Sequence, residues 1–363
     1  IGQPVNDNIR NLVNKYGIST DWRDEMIKNS APTSDINATL QGGGQTMNYF
    51  VSFNHHQEDG LIEASNMRRS TLAARLNSRL NKFFKVGFSS NFGVQDYSQN
   101  SMWADSKKTY ASNPLVAAKM ALPYDAPYYY SFDEAGNLVK GDRAAGLLYS
   151  QFLLPWFTVA NTKQDRKNVT INLSLNEQLT PVEGLTFTAL QSLFGYDLTS
   201  DRASLPYEQF TTPMGQVIDA HTGGVASDFS RYYAYTLTHT AEFRHNFGPH
   251  YVNLLLGEET RIQKGRSFGI TSTGQTDVRR MLLNTATTIT PSAQTDSRSE
   301  EVANSLFGTA EYNFKEKYFV YASLRFDGSS KFAPDHRWGT FGSLGLKWNA
   351  KRENFLRGLR WLD

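Results

Sequence analysis

Val169-Thr170-Ile171-Asn172-Leu173-Ser174-Leu175-Asn176 is the stretch on which the fold turns. In an extended chain Val169, Ile171, Leu173 and Leu175 point one way, and Thr170, Asn172, Ser174 and Asn176 the other. A helix would scatter the same apolar residues around its circumference. The period of two recurs upstream in Ile36/Ala38/Leu40, Tyr49/Val51/Phe53, Leu72/Ala74/Leu76/Leu80 and Val86/Phe88/Phe92/Val94. Downstream it returns in Tyr233/Tyr235/Leu237/Ala241/Phe243, Val252/Leu254/Leu256 and Tyr318/Val320/Ala322/Leu324/Phe326. Leu185–Asp197, Val302–Phe314 and Trp338–Trp348 are less regular and complete a set of about eleven strands. His239 falls mid-strand on an apolar face, where it fits poorly unless that point lies near an interface.

The connectors between these strands alternate in length. Gly42–Thr46, Asn81–Lys82, Thr180–Gly184, Phe247–His250 and Lys315–Lys317 are short. Gln57–Met67, Tyr97–Arg166, Leu198–Arg231, Gln263–Glu301 and Asp327–Arg337 are longer and interleave with them. A soluble sandwich has no reason to sort its loops this way, whereas an outer-membrane β-barrel has short periplasmic turns and longer extracellular loops. The other face of each strand carries Asn, Thr, Gln and Arg. Burying such groups unsatisfied costs about 1–3 kcal/mol each, and a wet lumen removes that cost. The expected fold is therefore all-β: an antiparallel transmembrane barrel segment. Residues 1–33 read as a loop with a helical turn around Asp7–Tyr16. Residues 34–363 read as a partial barrel with long extracellular loops near 97–165, 198–230 and 263–300.

Composition agrees. The chain has 363 residues, no cysteine, 39% hydrophobic and 13% aromatic residues, and a net charge of +2. No apolar run approaches the roughly 18–20 residues of a membrane helix, but a barrel strand needs none. The aromatic surplus fits interfacial girdles. So small a net charge gives no reason to expect nucleic acid. Without cysteine, disulfides and thiolate metal sites are ruled out. The sequence opens on Ile1 with no start methionine and no visible charged or apolar signal region, and Gly358–Asp363 looks like the start of another strand, so both ends are expected to be cuts inside a longer polypeptide.

Local motifs point away from chemistry. Gly265-Arg266-Ser267-Phe268-Gly269 matches the G-x-S-x-G elbow of hydrolases, which requires a strand-to-helix turn; here no helix pattern follows. His55-His56, and His239 with His245 and His250, lack metal-ligand spacing beside a glutamate. Asp327-Gly328-Ser329-Ser330 reads as a turn rather than a cation loop, and Gly42-Gly43-Gly44 as a tight turn. No catalytic residue, metal site or cofactor is expected. Binding is expected instead from the first long loop, which carries Trp103, Tyr110, Tyr124, Tyr128-Tyr129-Tyr130, Phe132, Trp156 and Phe157. Rigid aromatic planes can stack on sugars or hold peptide side chains; they can also pack the loop itself or grip a partner protein. Trp103, Tyr110, Tyr128, Tyr129, Tyr130 and Trp156 are the candidate substrate contacts. Arg69, Arg75 and Arg79 share one polar strand face and are the candidate lumen-facing cations.

Several of these stretches, in order, resemble the SusC/RagA family of TonB-dependent outer-membrane transporters. They are Thr20-Asp21-Trp22-Arg23-Asp24-Glu25, Gly42-Gly43 followed by Asn48-Tyr49-Phe50-Val51-Ser52, Gln57-Glu58-Asp59-Gly60-Leu61-Ile62, Arg75-Leu76-Asn77 and Phe84-Lys85-Val86-Gly87. Near the end come Lys317-Tyr318, Arg325-Phe326-Asp327-Gly328-Ser329-Ser330-Lys331-Phe332 and Arg337-Trp338-Gly339-Thr340-Phe341. The resemblance implies a barrel of about 22 strands around a plug, of which this chain supplies about half and no plug. It also implies energy from TonB acting on that plug, a SusD-like surface lipoprotein over the loops, and an oligosaccharide or peptide cargo. The implied location is the bacterial outer membrane, with its lipid and lipopolysaccharide. A passive porin-like barrel and a soluble all-β carbohydrate-binding or adhesive protein are the alternatives; an enzyme is the least expected reading.

Overall fold

The computed structural model describes residues 11–15, 17–99, 118–119, 121–123, 127–143, 162–211, 217–289 and 294–356. The first strands are β1 (Thr33–Gly43), β2 (Met47–Asp59), β3 (Asn66–Arg79) and β4 (Phe84–Gln99). A small hairpin, β5 (Tyr128–Phe132) and β6 (Leu138–Arg143), precedes the long strands β7 (Thr162–Val182) and β8 (Leu185–Ser204). After the short pair β9 (Phe210–Thr211) and β10 (Val217–Ile218) come β11 (Gly223–Phe247) and β12 (His250–Gln275). The last are β13 (Thr288–Ile289), β14 (Thr295–Phe314), β15 (Tyr318–Ser329) and β16 (Trp338–Trp348).

One antiparallel sheet holds eleven of them in the order β1-β2-β3-β4-β7-β8-β11-β12-β14-β15-β16, with β13 paired to the far end of β12; β5–β6 and β9–β10 form separate two-stranded ribbons. Strands adjacent in this order are joined by hairpins or long connections, and none crosses over. β1 and β16 each keep one unpaired edge. Hydrocarbon does not tolerate an open edge, because its backbone groups find no water there. The sheet is thus an unclosed barrel segment, and the eleven main strands match the expected number.

The alternation seen in sequence becomes two faces. Leu72, Phe92, Phe187, Leu254, Leu306, Leu324, Leu344 and Leu346 are all exposed on the apolar one. A soluble protein would bury such residues; here they form the surface that meets lipid. At the short-turn end this face ends in aromatics: His250 is hydrogen-bonded to the Tyr312 hydroxyl at 2.6 Å, and its ring lies 4.8 Å from that of Phe314. The turns there are tight. Gly184 has φ +86°, and a Cβ on it would collide with the Arg244 carbonyl oxygen. Lys315 and Glu316 also take positive φ, with Asn313 Oδ1 accepting from the Glu316 N–H at 3.1 Å.

Two sequence expectations need correction. The stretches 198–204, 223–230, 263–275 and 295–300 were expected as loop but are paired strand. Crossing the apolar band takes about ten residues. β11 has 25 and β12 has 26, so both continue beyond lipid, where polar residues pair as readily as apolar ones and the alternation loses its signal. The Gly265–Gly269 motif lies inside β12, with Ser267 Oγ 2.8 Å from Ser297 Oγ across the strand pair. No elbow exists there. Asp327 and Gly328 likewise belong to β15, with Gly328 opposite Trp338, and the turn starts after Ser329. Of Gly42-Gly43-Gly44, expected as a tight turn, only Gly44 lies in it, its N–H donating to the Met47 carbonyl at 2.7 Å; Gly42 and Gly43 end β1 opposite Tyr49 and Asn48. His239, the misfit, stands opposite Glu258, Nδ1 to Oε1 3.0 Å. This pair sits at the border of the apolar face, beside the Thr260–Asn304 hydrogen bond.

Candidate functional site: the polar face and the docked tyrosine hairpin

The polar face changes character along the sheet. On β3, Arg69, Arg75 and Arg79 lie on it together, as alternation requires. Register places Arg69 opposite His56 and Gln95, Arg75 opposite Phe50 and Ser89, and Arg79 opposite Lys85. None of the three arginines has a carboxylate partner among the described residues. Around Arg79 and Lys85 the face is lined by Asn48, Asn77, Asn176 and Gln178, with Asn77 Nδ2 donating to Asn48 Oδ1 at 3.0 Å.

Further along, the same face is aromatic and self-bonded. The rings of Tyr196 (β8) and Tyr232 (β11) stack 5.7 Å apart, with Phe194 6.3 Å from Tyr232. With its amide oriented by its neighbours, Gln263 accepts from Arg261 Nε at 2.7 Å and donates to the Tyr232 hydroxyl at 3.1 Å. Arg166 donates to the Tyr97 hydroxyl at 2.6 Å, and Arg202 pairs with Asp228 at 2.5 Å. On β15, Arg325 donates to Asp327 at 2.6 Å and to Ser305 Oγ at 2.9 Å, with Glu259 3.8 Å away. Flat aromatic planes beside paired polar groups suit stacking and hydrogen bonding to a polar, flexible cargo. Nothing in the arrangement couples a nucleophile to a base.

Sequence reasoning missed Phe194, Tyr196 and Tyr232. The signal was present as alternation through 185–197 continuing into 223–235. Reading 198–230 as loop cut it at the point where these residues acquire a face.

Trp103, Tyr110 and Trp156 lie outside the described residues, as do Tyr124 and Phe157. Tyr128, Tyr129 and Tyr130 fall on β5 of the small hairpin, which docks on the N-terminal segment. There the helix Trp22–Met26, capped by Asp21, buries Trp22 and Met26 beside Ile18. Trp22 Nε1 donates to the Leu122 carbonyl at 3.2 Å, and Thr20 N–H to that of Pro123 at 2.7 Å. The Tyr128 hydroxyl donates to Glu25 Oε2 at 2.8 Å, and Lys140 Nζ sits 3.4 Å above the Tyr128 ring. Arg143 reaches Glu63 in the β2–β3 connection at 2.7 Å. Partial burial, with Glu25 nearby, pushes the Tyr130 hydroxyl pKa up. The hairpin thus ties three separate segments together, and Tyr128 and Tyr130 act in that tie. Tyr129 remains more than a third exposed.

Comparison with known proteins places this geometry. Residues 118–359 match the family described as TonB dependent receptor-like, beta-barrel. Among curated relatives, TonB-dependent receptor P3 of Formosa agariphila is 26% identical over 93% of this chain and 32% of its own length. TonB-dependent receptor SusC of Bacteroides thetaiotaomicron is 21% identical over 95% of this chain and 34% of its own. The chain thus spans about a third of the length of the curated relatives it matches. Of solved structures, the RagAB peptide transporter superposes with a TM-score of 0.69 at 22% identity, covering 94% of this chain and 36% of that one. The RagAB importer in its 'open-open' state gives 0.71 at 22% identity, over 91% and 35%. An open antiparallel sheet with one lipid-compatible face, short turns at one end and long connections at the other, matched to that family over more than half its length, belongs to the TonB-dependent receptor β-barrels of the bacterial outer membrane.

Proposed function

We propose that this chain is part of the wall of a TonB-dependent importer that takes up nutrients such as oligosaccharides or peptides. Its polar face lines the lumen. The observation that carries this reading is the trio Arg69, Arg75 and Arg79, arranged on that face with no carboxylate partner among the described residues. Uncompensated cations on a wall expect counter-charges from outside the sheet. A plug carrying carboxylates supplies them, and TonB acts through that plug. Phe194, Tyr196 and Tyr232 offer the cargo rigid planes higher on the wall. Tyr129 on the docked hairpin, with Trp103, Tyr110 and Trp156, contributes contacts at the loops, under a SusD-like lipoprotein lid. Capture has to be firm enough to hold cargo and loose enough to release it. No covalent chemistry is involved.

The test is uptake of labelled oligosaccharide or peptide by cells carrying the full-length receptor, with and without the proton gradient. Import that stops when the gradient collapses supports the importer. Import that persists, and passes any solute of similar size, overturns it in favour of a passive porin-like barrel.

A further inference from the structure

On the apolar side of the sheet, well beyond the lipid-compatible band, three arginines stand side by side. Register sets Arg231 (β11) directly opposite Arg266 (β12), and Arg266 directly opposite Arg298 (β14). No bulge interrupts these strands between the row and the apolar residues below, so all three share the face of Leu237, Leu256 and Leu306. Like charges directly opposite one another destabilise a strand pair, so the row needs an explanation. Local carboxylates supply only part of one. Asp197 takes Arg231 in a two-pronged bond of 2.7 and 2.5 Å. Glu300 on the same face takes Lys264 at 3.1 Å, and Asp296 comes no nearer to Arg298 than 3.9 Å. Arg266 has no carboxylate partner among the described residues; its guanidinium lies 5.8 Å from the Phe268 ring centroid.

Height decides what the row meets. Each arginine lies sixteen positions from the short-turn end of its strand, at Phe247, His250 and Phe314 respectively. Tilted strands gain about 2.5 Å of height per residue, so the roughly 25 Å apolar band is crossed in about ten. The row then stands about 15 Å above hydrocarbon, facing outward among lipid headgroups. Phe229 and Phe268, with ring centroids 5.3 Å apart, flank it one step higher, and Tyr233 lies one step lower beside Lys264.

We propose that Arg231, Arg266 and Arg298 form a binding site for the phosphorylated sugar headgroup of an outer-leaflet glycolipid. Guanidinium forks match phosphate oxygens two at a time, and the flanking rings suit the faces of headgroup sugars. The proposal rests on the barrel reading, because that reading turns the apolar face toward lipid. It gives the receptor a fixed lipid contact at the seam of β11, β12 and β14, on the side away from the cargo path.

The full-length receptor is purified in mild detergent and stripped of lipid, as wild type, R266Q/R298Q and K347Q. The last removes a cation from β16 on the polar face. Slower gel migration after boiling, compared with the unboiled sample, confirms a folded barrel and so checks the underlying reading separately. Each protein is titrated with phosphorylated glycolipid in nanodiscs, with the same lipid after dephosphorylation, and with inorganic phosphate. Charge-assisted hydrogen bonds of this kind predict at least about tenfold weaker glycolipid binding by R266Q/R298Q, a similar loss for wild type with the dephosphorylated lipid, and no change for K347Q. Equal binding by wild type and R266Q/R298Q overturns the site. Equal loss in K347Q overturns it too, by reducing the effect to net charge. Inorganic phosphate that competes as well as the lipid replaces the headgroup with a free anion.

Discussion

Arg325 on β15 has Asp327 at 2.6 Å, Ser305 at 2.9 Å and Glu259 at 3.8 Å; Arg79 on β3, on the same face of the same sheet, has Lys85 opposite it. Both walls present guanidinium groups to the polar side, yet only one neutralises them. On the β12–β15 wall Arg325 is neutralised within the sheet, by Asp327 with Glu259 close by. The β2–β4 wall concentrates Arg69, Arg75, Arg79 and Lys85; the carboxylates on that face, Asp35 of the adjoining β1 and Glu58, contact His56 at 3.0 and 3.5 Å, and among the described residues neither pairs with an arginine of the trio. A wall that leaves several exposed cations unpaired on one face is suited to receive something anionic, while a self-paired one is built to stand. The first wall is therefore where function is expected to respond to charge, and the second where stability is.

Reversing charge on the first wall is expected to have the largest effect. Arg75→Glu with Arg79→Glu in the full-length receptor should lower energy-dependent uptake by more than tenfold while the barrel still folds, since no bond within the sheet is lost. Uptake at the wild-type rate would remove both plug pairing and anion attraction as roles for these residues. Next in size is Tyr196→Ala with Tyr232→Ala, which dismantles the stacked pair. An aromatic contact of this type is worth about 1 kcal/mol, so cargo affinity by calorimetry should fall roughly fivefold with the unfolding midpoint little changed. A lowered midpoint at unchanged affinity would make the pair a packing element instead. On the second wall Arg325→Gln should do the reverse. It strands Asp327 and Glu259, and because the site is part-exposed the cost is about 1 kcal/mol in denaturant unfolding, with uptake retained per folded barrel.

The difference between the walls also marks how far the sequence could be read. Strand number, the two faces and the short-turn end were legible because lipid imposes strict alternation, as in Val169–Asn176, and because turns such as Gly44–Thr46 carry their own residue signals. Above the membrane that constraint ends. The upper halves of β11 and β12 pair Thr, Ser, Arg and Gly without a dominant period, so 223–230 and 263–275 read as loop, and the G-x-S-x-G pattern falls inside the second of these. Arg69, Arg75 and Arg79 were visible as a set on one face of one strand. That none of them has a carboxylate partner among the described residues was not, because pairing depends on which strands lie alongside. The roles of Tyr128 and Tyr130 were equally hidden. Their partners Glu25, on the helix Trp22–Met26, and Lys140 come from segments that meet only in three dimensions.

The smallest expected effect tests whether self-neutralisation extends to the periplasmic edge of the second wall. After β16 the chain folds back, and Glu353 accepts from Lys317 Nζ at 2.7 Å and from the Tyr318 hydroxyl at 2.5 Å. These bonds, with the Lys317 charge, hold the Glu353 carboxyl below the usual glutamate range. A carboxyl whose folded pKa is depressed adds stability that is fully present above its unfolded pKa, and that stability is lost as pH falls through the lower, folded value. Wild type should therefore lose stability on acidification through and below the ordinary carboxylate range, and Glu353→Gln should be less stable near neutrality with a shallower acid limb. The group lies outside the membrane and is only 9% exposed, but it belongs to one ion pair at the sheet's edge, so the difference should be small. Parallel acid limbs for wild type and variant would show that Glu353 contributes nothing through its charge. The self-pairing seen at Arg325 would then not reach the edge of the second wall.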